Sequence, residues 1–100
     1  MKVYIFLANG FEDIEAITII DVLRRAEIEV ISVSIEKTLF VKSAYKNELK
    51  ADILFEACCI KNEDVFILPG GLQGVKNIKQ HTVFLNCLVK YAREGSLIAA

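Results

Sequence analysis

Three runs of consecutive apolar residues predict the strands around which the chain is organised. They are Val65–Leu68, the stretch from Lys2 to Ala8, and Leu97–Ala100. A run without polar alternation is typical of a strand buried on both faces in the middle of a parallel sheet. We therefore expect Val3–Leu7, Val65–Leu68 and Leu97–Ala99 in the centre of a mostly parallel sheet.

A helix and an alternating strand complete the first structural unit. Acidic residues near the start of the helix predicted over Phe11–Ala26 suit the positive end of the helix dipole. Its core-facing stripe consists of Ala16, Ile19, Ile20 and Leu23. Ile28–Ile35 alternates between apolar and polar residues, which predicts a strand with one polar face, nearer an edge of the sheet. This βαβ unit, with a right-handed crossover, predicts a three-layer α/β sandwich.

The same helix carries a second apolar set outside the stripe, made up of Phe11, Ile14, Ile17 and Val22. A helix that is apolar on two sides is covered on two sides, and a partner surface explains this better than solvent does. We therefore predict that the helix lies in a homodimer interface. The residues predicted for that interface are Glu15, Ile17, Thr18, Asp21, Val22 and Arg25.

The pattern is weaker elsewhere. Leu39–Val41 and Ile53–Phe55 are short strand candidates, and the polar stretch between them suggests a loose hairpin or excursion. Leu72–Gln80 is interpreted as a short, irregular helical turn. Thr82 is a candidate cap for a second helix that ends at Gly95. The residues of that helix predicted to face inward are Phe84, Leu85, Leu88, Val89 and Ala92.

Pro69-Gly70-Gly71 follows the central strand directly. Proline cannot donate to a strand ladder, and glycine allows a sharp turn and a close approach to the backbone. Sites in open α/β sheets are built at the carboxyl ends of the strands. Gly70 and Gly71 are therefore candidates for a site with exposed N–H groups, and a tight turn without chemistry is the alternative.

Composition limits the functional classes. Apolar residues form 54% of the 100 residues, which suggests a chain that buries itself against something else. The net charge of −1, from 12 basic and 13 acidic residues, gives no field for binding nucleic acid. No apolar run approaches the roughly 20 residues that cross a bilayer, and no secretory signal pattern is present. We expect a cytoplasmic location and no membrane partner.

The thiols and the imidazole are weak candidates for chemistry. The adjacent Cys58 and Cys59 lack the spacing of a redox pair, and Cys87 is expected to pack as a small hydrophobic residue. His81 has no metal-ligating companions at useful spacing, so it is interpreted as a solvated residue at a helix start. No metal site and no cofactor are predicted.

Several of these segments resemble the ThiJ/PfpI superfamily, in particular its DJ-one branch, that of the parkinsonism-associated protein deglycase. The resemblance is carried by Ala8–Glu15 (Ala-Asn-Gly-Phe-Glu-Asp-Ile-Glu), Asp21–Ala26, Leu68–Gly71 and Leu97–Ala100, in the family's order and spacing. It implies a flavodoxin-like fold, similar to class I glutamine amidotransferases, of which residues 1–100 would be the N-terminal half of a single domain. The remaining C-terminal half is then the first expected partner. On this basis we expect that the chain alone is not a self-sufficient folded monomer.

The resemblance also implies roles for individual residues. Glu15 matches a glutamate that faces the family's reactive cysteine, to which it is hydrogen-bonded in protonated form. Gly71 matches the glycine whose backbone N–H binds an oxyanion or an oxidised sulfur. The cysteine itself would come just after Ala100. Without the resemblance, Glu15 would be interpreted as an ordinary acid in a first helical turn.

Two function classes remain open for the parent protein. One is a cysteine-dependent glyoxalase or protein deglycase, acting on a small 2-oxoaldehyde such as methylglyoxal or on its adducts. The other is an oxidative-stress sensor or chaperone whose cysteine is oxidised to a sulfinate. A third hypothesis, for the isolated chain, is a binding domain without catalytic activity.

Overall fold

A computed structural model describes residues 1–99, and the last residue of the predicted strand, Ala100, lies outside them. In chain order, the described elements are β1 (Val3–Leu7), α1 (Asp13–Arg25), β2 (Val30–Ser34), β3 (Phe40–Lys42), β4 (Glu48–Lys50), β5 (Ile53–Leu54), a 3-10 helix (Phe55–Ala57), β6 (Val65–Ile67), α2 (Leu72–Gln80), α3 (Thr82–Arg93) and β7 (Ile98–Ala99).

Five of the strands form a parallel sheet in the order β5-β2-β1-β6-β7. Strand β1 is central, and its Val3 is in register with Val30 on one side and Val65 on the other. Alternate residues of β1 enter two separate cores: Ile5 joins the core beneath α1, and Phe6 joins the core beneath α2 and α3. The predicted three-layer α/β architecture with a mostly parallel sheet is confirmed.

Two strands differ from expectation. Within residues 1–99, β7 pairs only with β6, so it is an edge strand and not a central one, and Leu97 beside it is 65% exposed. The predicted polar face of β2 is buried, because Ser32 and Ser34 have hydrogen-bond partners. The Asp52 N–H donates to Ser32 Oγ (2.9 Å), and Ser34 Oγ donates to the Thr38 carbonyl (2.6 Å).

The polar stretch predicted as a loose excursion contains a regular hairpin. Strands β3 and β4 pair antiparallel, with Val41 opposite Leu49. Val41 is fully buried in the core beneath α1, which anchors the hairpin to the sheet. The second strand candidate, Ile53–Leu54, instead joins the main sheet beside β2.

The segment after the glycines is a nine-residue α-helix, not an irregular turn. Gly74 lets this helix pack closely on the loop after β1, because a Cβ at that position would lie 3.0 Å from the Phe11 nitrogen and 3.1 Å from the Gly10 carbonyl oxygen. The cap of α3 is His81 and not Thr82, since the Phe84 N–H donates to His81 Nδ1 (3.0 Å). In α3, Val89 and Ala92 are exposed, contrary to prediction, because they lie off the stripe around the buried Phe84.

Helix α1 lies within its predicted range, and its stripe packs on the sheet around the buried Ala16. The second apolar set divides. Phe11 is 2% exposed and belongs to the chain's own core, whereas Ile14, Ile17 and Val22 are 74%, 50% and 55% exposed. The unpartnered face is therefore narrower than the sequence pattern suggested.

Candidate functional site

The carboxyl ends of β1, β6 and β7 meet at the Gly70-Gly71 turn. The Leu68 N–H donates to the Ala99 carbonyl (2.9 Å), so the end of β7 lies beside the residues that lead into the turn. The loop after β1 reaches it from the other side, because the Glu12 N–H donates to the Gly70 carbonyl (2.9 Å). Three segments that are distant in sequence are thus held together by backbone hydrogen bonds.

Gly71 allows the closest of these approaches. Its φ of +110° lies in a region that side chains rarely adopt, and a Cβ there would stand 2.5 Å from the Gly10 carbonyl oxygen and 2.8 Å from the Glu12 nitrogen. The contacting atoms belong to the backbone and cannot turn aside. The position is therefore restricted to glycine by both conformation and space.

Glu15 places its carboxyl group over the other glycine of the turn. A Cβ built on Gly70 would lie 2.9 Å from Glu15 Oε2 and 3.1 Å from Oε1. The Glu12 carboxylate holds this first helical turn, since its Oε2 accepts from the Glu15 N–H (2.8 Å). Convergence of three segments on this turn predicts a partly desolvated carboxyl group, but Glu15 is exposed in the described part of the chain.

The turn offers backbone donors next to that carboxyl group. Within residues 1–99, the N–H groups of Gly70 and Gly71 make no hydrogen bond. Gly71 is also the N-cap of α2, so the positive end of the helix dipole lies at the same place. A carboxyl group beside N–H donors that are unpaired within residues 1–99 is an arrangement that can stabilise negative charge on a bound oxygen.

The cysteines and His81 are not brought to this site. Cys58 and Cys87 line a cavity beside α3, and Cys59 lies near Lys2 and Asp64 at the amino end of the sheet. Burial raises the pKa of Cys58 to about 12, and it also raises the pKa of Cys87. These thiols are therefore protonated and poorly nucleophilic near neutral pH. His81 is engaged as the cap of α3.

Asp13 is a positioning residue that the sequence pattern did not reveal. Its Oδ2 accepts from Ser43 Oγ (2.5 Å) and from Asn47 Nδ2 (2.6 Å), which ties the β3–β4 hairpin to the start of α1. These hydrogen bonds lower the pKa of Asp13, and the bond from Asn47 makes the larger contribution. Ser43 and Asn47 lie in a polar stretch without periodicity, so no sequence signal linked them to Asp13.

The face predicted for a homodimer is a mixed apolar and charged surface. Ile17 and Val22 are about half exposed, and Glu15 and Thr18 are exposed on the same helix. Asp21 and Arg25 pair along the surface, with Arg25 Nε 3.0 Å from Asp21 Oδ2. No partner residue is needed to satisfy this ion pair, so the apolar pair is what a second subunit would cover.

Two further features were sought among residues 1–99. No group of three or more His, Cys, Asp or Glu side chains there could hold a metal ion. None of the helices in this part of the chain has the length and apolar character needed to cross a membrane.

The protein is thus a parallel α/β protein with a carboxylate and a glycine turn at the carboxyl ends of its central strands. The sequence matches the model of the DJ-1/PfpI family over residues 1–100, and the chain belongs to that family. Protein DJ-1 homolog A of Arabidopsis thaliana is 33% identical over 91 residues, which are 91% of this chain and 23% of that protein.

Solved structures show the same fold. A cysteine-to-alanine mutant of a DJ-1 superfamily protein from Salmonella typhimurium superposes with a TM-score of 0.89 at 30% identity, over 97% of this chain and 52% of that one. Toxoplasma gondii DJ-1, in a structure described as oxidized, gives 0.88 at 33% identity, over 97% and 53%. The chain thus spans between about a quarter and about half of the length of these three relatives.

Proposed function

We propose that residues 1–100 supply the carboxylate and the oxyanion-binding turn of a cysteine-dependent glyoxalase or protein deglycase. The observations that carry this proposal are the position of the Glu15 carboxyl group over Gly70 and the hydrogen bond that joins the end of β7 to Leu68, just before the same turn. Further polypeptide of the same domain would continue from β7 and carry the reactive thiol. The greater length of the relatives supports that step.

The proposed reaction converts methylglyoxal and water into lactate without an external oxidant. The thiolate attacks the aldehyde carbon, forming a carbon–sulfur bond, and the carbonyl oxygen takes the electron pair beside the Gly71 N–H. Glu15 then moves a proton from the former aldehyde carbon to the neighbouring carbon by way of an enediol. The aldehyde carbon is oxidised to a thioester as the ketone is reduced to an alcohol. Hydrolysis releases lactate and restores the thiol.

A redox sensor or chaperone is the second candidate, because the Toxoplasma gondii relative is described as oxidized. In this case two equivalents of a peroxide oxidise the thiol, first to a sulfenic acid and then to a sulfinate. In each step the peroxide O–O bond breaks, one oxygen is transferred to sulfur and the other leaves as water or an alcohol. The Glu15 carboxyl group in its protonated form and the Gly71 N–H would each donate a hydrogen bond to a sulfinate oxygen. The same geometry serves both candidates, so they are separated by measurement.

The deciding experiment compares Glu15→Gln and Glu15→Leu in the full-length protein. For a glyoxalase, both changes lower lactate formation from methylglyoxal by roughly 100-fold or more, since neither side chain transfers a proton. For a sensor, Gln keeps a hydrogen-bond donor and preserves the sulfinate, as detected by mass spectrometry, whereas Leu does not. Glu63→Gln, an exposed glutamate just before the opposite end of β6, is the matched control and retains the parent's behaviour.

Two outcomes would refute both candidates. One is lactate formation and sulfinate yield that are unchanged in Glu15→Leu. The other is a parent protein without either activity, which would leave a binding domain as the function of this fold.

We further propose that the protein acts as a cytoplasmic homodimer that associates through α1. Support comes from the half-exposed Ile17 and Val22 on a helix whose other side packs on the sheet. The dimer face is separate from the chemistry proposed for Gly71, but Glu15 lies on the same helix. Association would therefore help to cover the carboxyl group that is exposed in the described chain.

A further inference from the structure

A cavity lies apart from the glycine turn, between the segment after β5 and the start of α3. Its volume is about 540 Å³, and neither Glu15 nor Gly71 lines it. Small-molecule sites typically have volumes of about 300–1,000 Å³ and mainly apolar walls. The apolar side chains here are Ile35, Leu54, Phe55, Ile60, Val83 and Tyr91.

The polar side chains of the interior have defined hydrogen-bonding states. Tyr91 Oη donates to the Ile60 carbonyl (2.9 Å), so the hydroxyl proton of Tyr91 is already used in a hydrogen bond. His81 Nδ1 accepts from the Phe84 N–H (3.0 Å), so it keeps a lone pair and the ring proton resides on Nε2. His81 lines the cavity, and Nε2–H is the donor that its ring has left after this hydrogen bond.

The two thiols of the cavity behave as apolar surface. Burial raises the pKa of both Cys58 and Cys87, so neither carries charge near neutral pH. The charged lining residues are Glu36, Lys37 and Glu56, which have mixed sign. Lys37 and Glu56 are exposed, and Glu36 already accepts from the Asn9 N–H (2.9 Å). None of the charged lining residues is buried, so an ionised ligand would find no buried charge of opposite sign in the cavity.

We propose that this cavity binds a small, uncharged aromatic molecule that carries one hydrogen-bond acceptor. The apolar walls and the rings of Phe55 and Tyr91 favour an aromatic body. His81 Nε2–H is the donor for the acceptor group. A charged ligand is disfavoured, because burial would strip its charge of water without supplying a partner. This site is independent of the function proposed for Glu15.

The cysteines provide a built-in readout, because Cys58 and Cys87 line the cavity and Cys59 does not. The probe is 2-acetylnaphthalene, and alkylation of each cysteine by N-ethylmaleimide is followed by mass spectrometry on the full-length protein. At a probe concentration ten times its Kd, we expect about tenfold slower alkylation of Cys58 and Cys87. Alkylation of Cys59 keeps its rate.

Charge and position are tested separately. The similarly sized 2-naphthoate and 2-naphthylmethylammonium are expected to bind at least about tenfold more weakly. Val83→Glu places a carboxylate in the lining at a position that is 68% exposed, so the fold tolerates it and probe binding is lost. Val89→Glu, on the same helix outside the cavity and 42% exposed, is the matched control and binds as the parent does.

Three results would overturn the proposal. The first is equal probe affinity in Val83→Glu and the parent. The second is absence of binding, or protection that includes Cys59 to the same extent. The third is protection of Cys58 and Cys87 that rises with protein concentration without the probe, which would make a second copy of the chain the occupant.

Discussion

The Glu15 carboxyl group occupies the space that a side chain at Gly70 would need, with a Cβ built there only 2.9 Å from Glu15 Oε2. The absence of a side chain at this one position lets a residue from α1 lie on the turn that follows β6. The carboxyl group thereby lies next to a turn whose N–H groups make no hydrogen bond within residues 1–99. The small size of Gly70 thus allows Glu15 of α1 to lie directly against the turn after β6.

Gly70→Ala is expected to displace the Glu15 carboxyl group without unfolding the protein. The contact is with the end of a flexible side chain, and the φ of Gly70 lies outside the left-handed region. The free energy of unfolding should change by no more than about 0.5 kcal/mol. If Glu15 transfers the proton as proposed, lactate formation from methylglyoxal should fall, since that step depends on the position of the carboxyl group. Parent-like turnover in this variant would contradict the assigned geometry.

Gly71→Ala is expected to lower the free energy of unfolding. Its Cβ would stand 2.5 Å from the Gly10 carbonyl oxygen in a backbone conformation with φ of +110°. Backbone strain alone costs about 1–3 kcal/mol, and the clash adds to it, as urea unfolding would measure. Gly95→Ala is the control, because its φ is +88° but no atom lies within 4 Å of the added Cβ. Equal losses in the two variants would show that the close approach at Gly71 has no energetic weight.

Sequence periodicity predicted the elements that bury whole faces. The unbroken apolar run of β1 and the stripe around Ala16 in α1 are both found, because burial on a sheet leaves a periodic signature. The position of Gly70 and Gly71 after a central strand was likewise readable from the residue types. What the pattern could not assign was the order of strands at the edge, since β7 is as apolar as β6.

Features that depend on contacts between residues distant in sequence could not be predicted from the sequence pattern. Ser32 and Ser34 appeared to face solvent, but their hydroxyl groups are satisfied by Asp52 and Thr38. The β3–β4 hairpin has strands of three residues, too short to show alternation. The position of Glu15 over Gly70 came from the resemblance to a family and not from periodicity, which marks only its place in a first helical turn.

Ile17→Glu is expected to shift the full-length protein from dimer towards monomer. The side chain is 50% exposed on α1, so the charge is tolerated in the monomer, whereas burial against a second copy would leave it without a partner. Sedimentation velocity measures the shift, and Val22→Glu should act in the same direction. Val89→Glu on α3 is the control and leaves the association unchanged. A dimer that persists in both α1 variants would mean that other parts of the chain cover this face.

Asp13→Ala is expected to loosen the β3–β4 hairpin and to remove its dependence on acid. Hydrogen bonds from Asn47 and Ser43 lower the pKa of Asp13 below its value in an unfolded chain, for which 3.8 is the reference. With this sign, the stabilisation is complete above the unfolded pKa and is lost as the pH falls through the lowered folded pKa. In the parent, the amide protons of Ser43 and Asn47 should therefore remain protected from exchange until the pH falls below the usual aspartate range.

Hydrogen exchange followed by NMR between about pH 6 and about pH 2 tests this linkage. In Asp13→Ala the amide protons of Ser43 and Asn47 should exchange faster than in the parent already at about pH 6. Their protection should then fall less than in the parent as the pH is lowered. Asp21→Ala is the matched control, since Asp21 lies on the same helix and its side-chain hydrogen bonds within residues 1–99 come from Arg25. If the acid loss of protection is the same in the parent and in Asp13→Ala, then Asp13 does not hold the hairpin, and the lowered pKa reports a contact without consequence for stability.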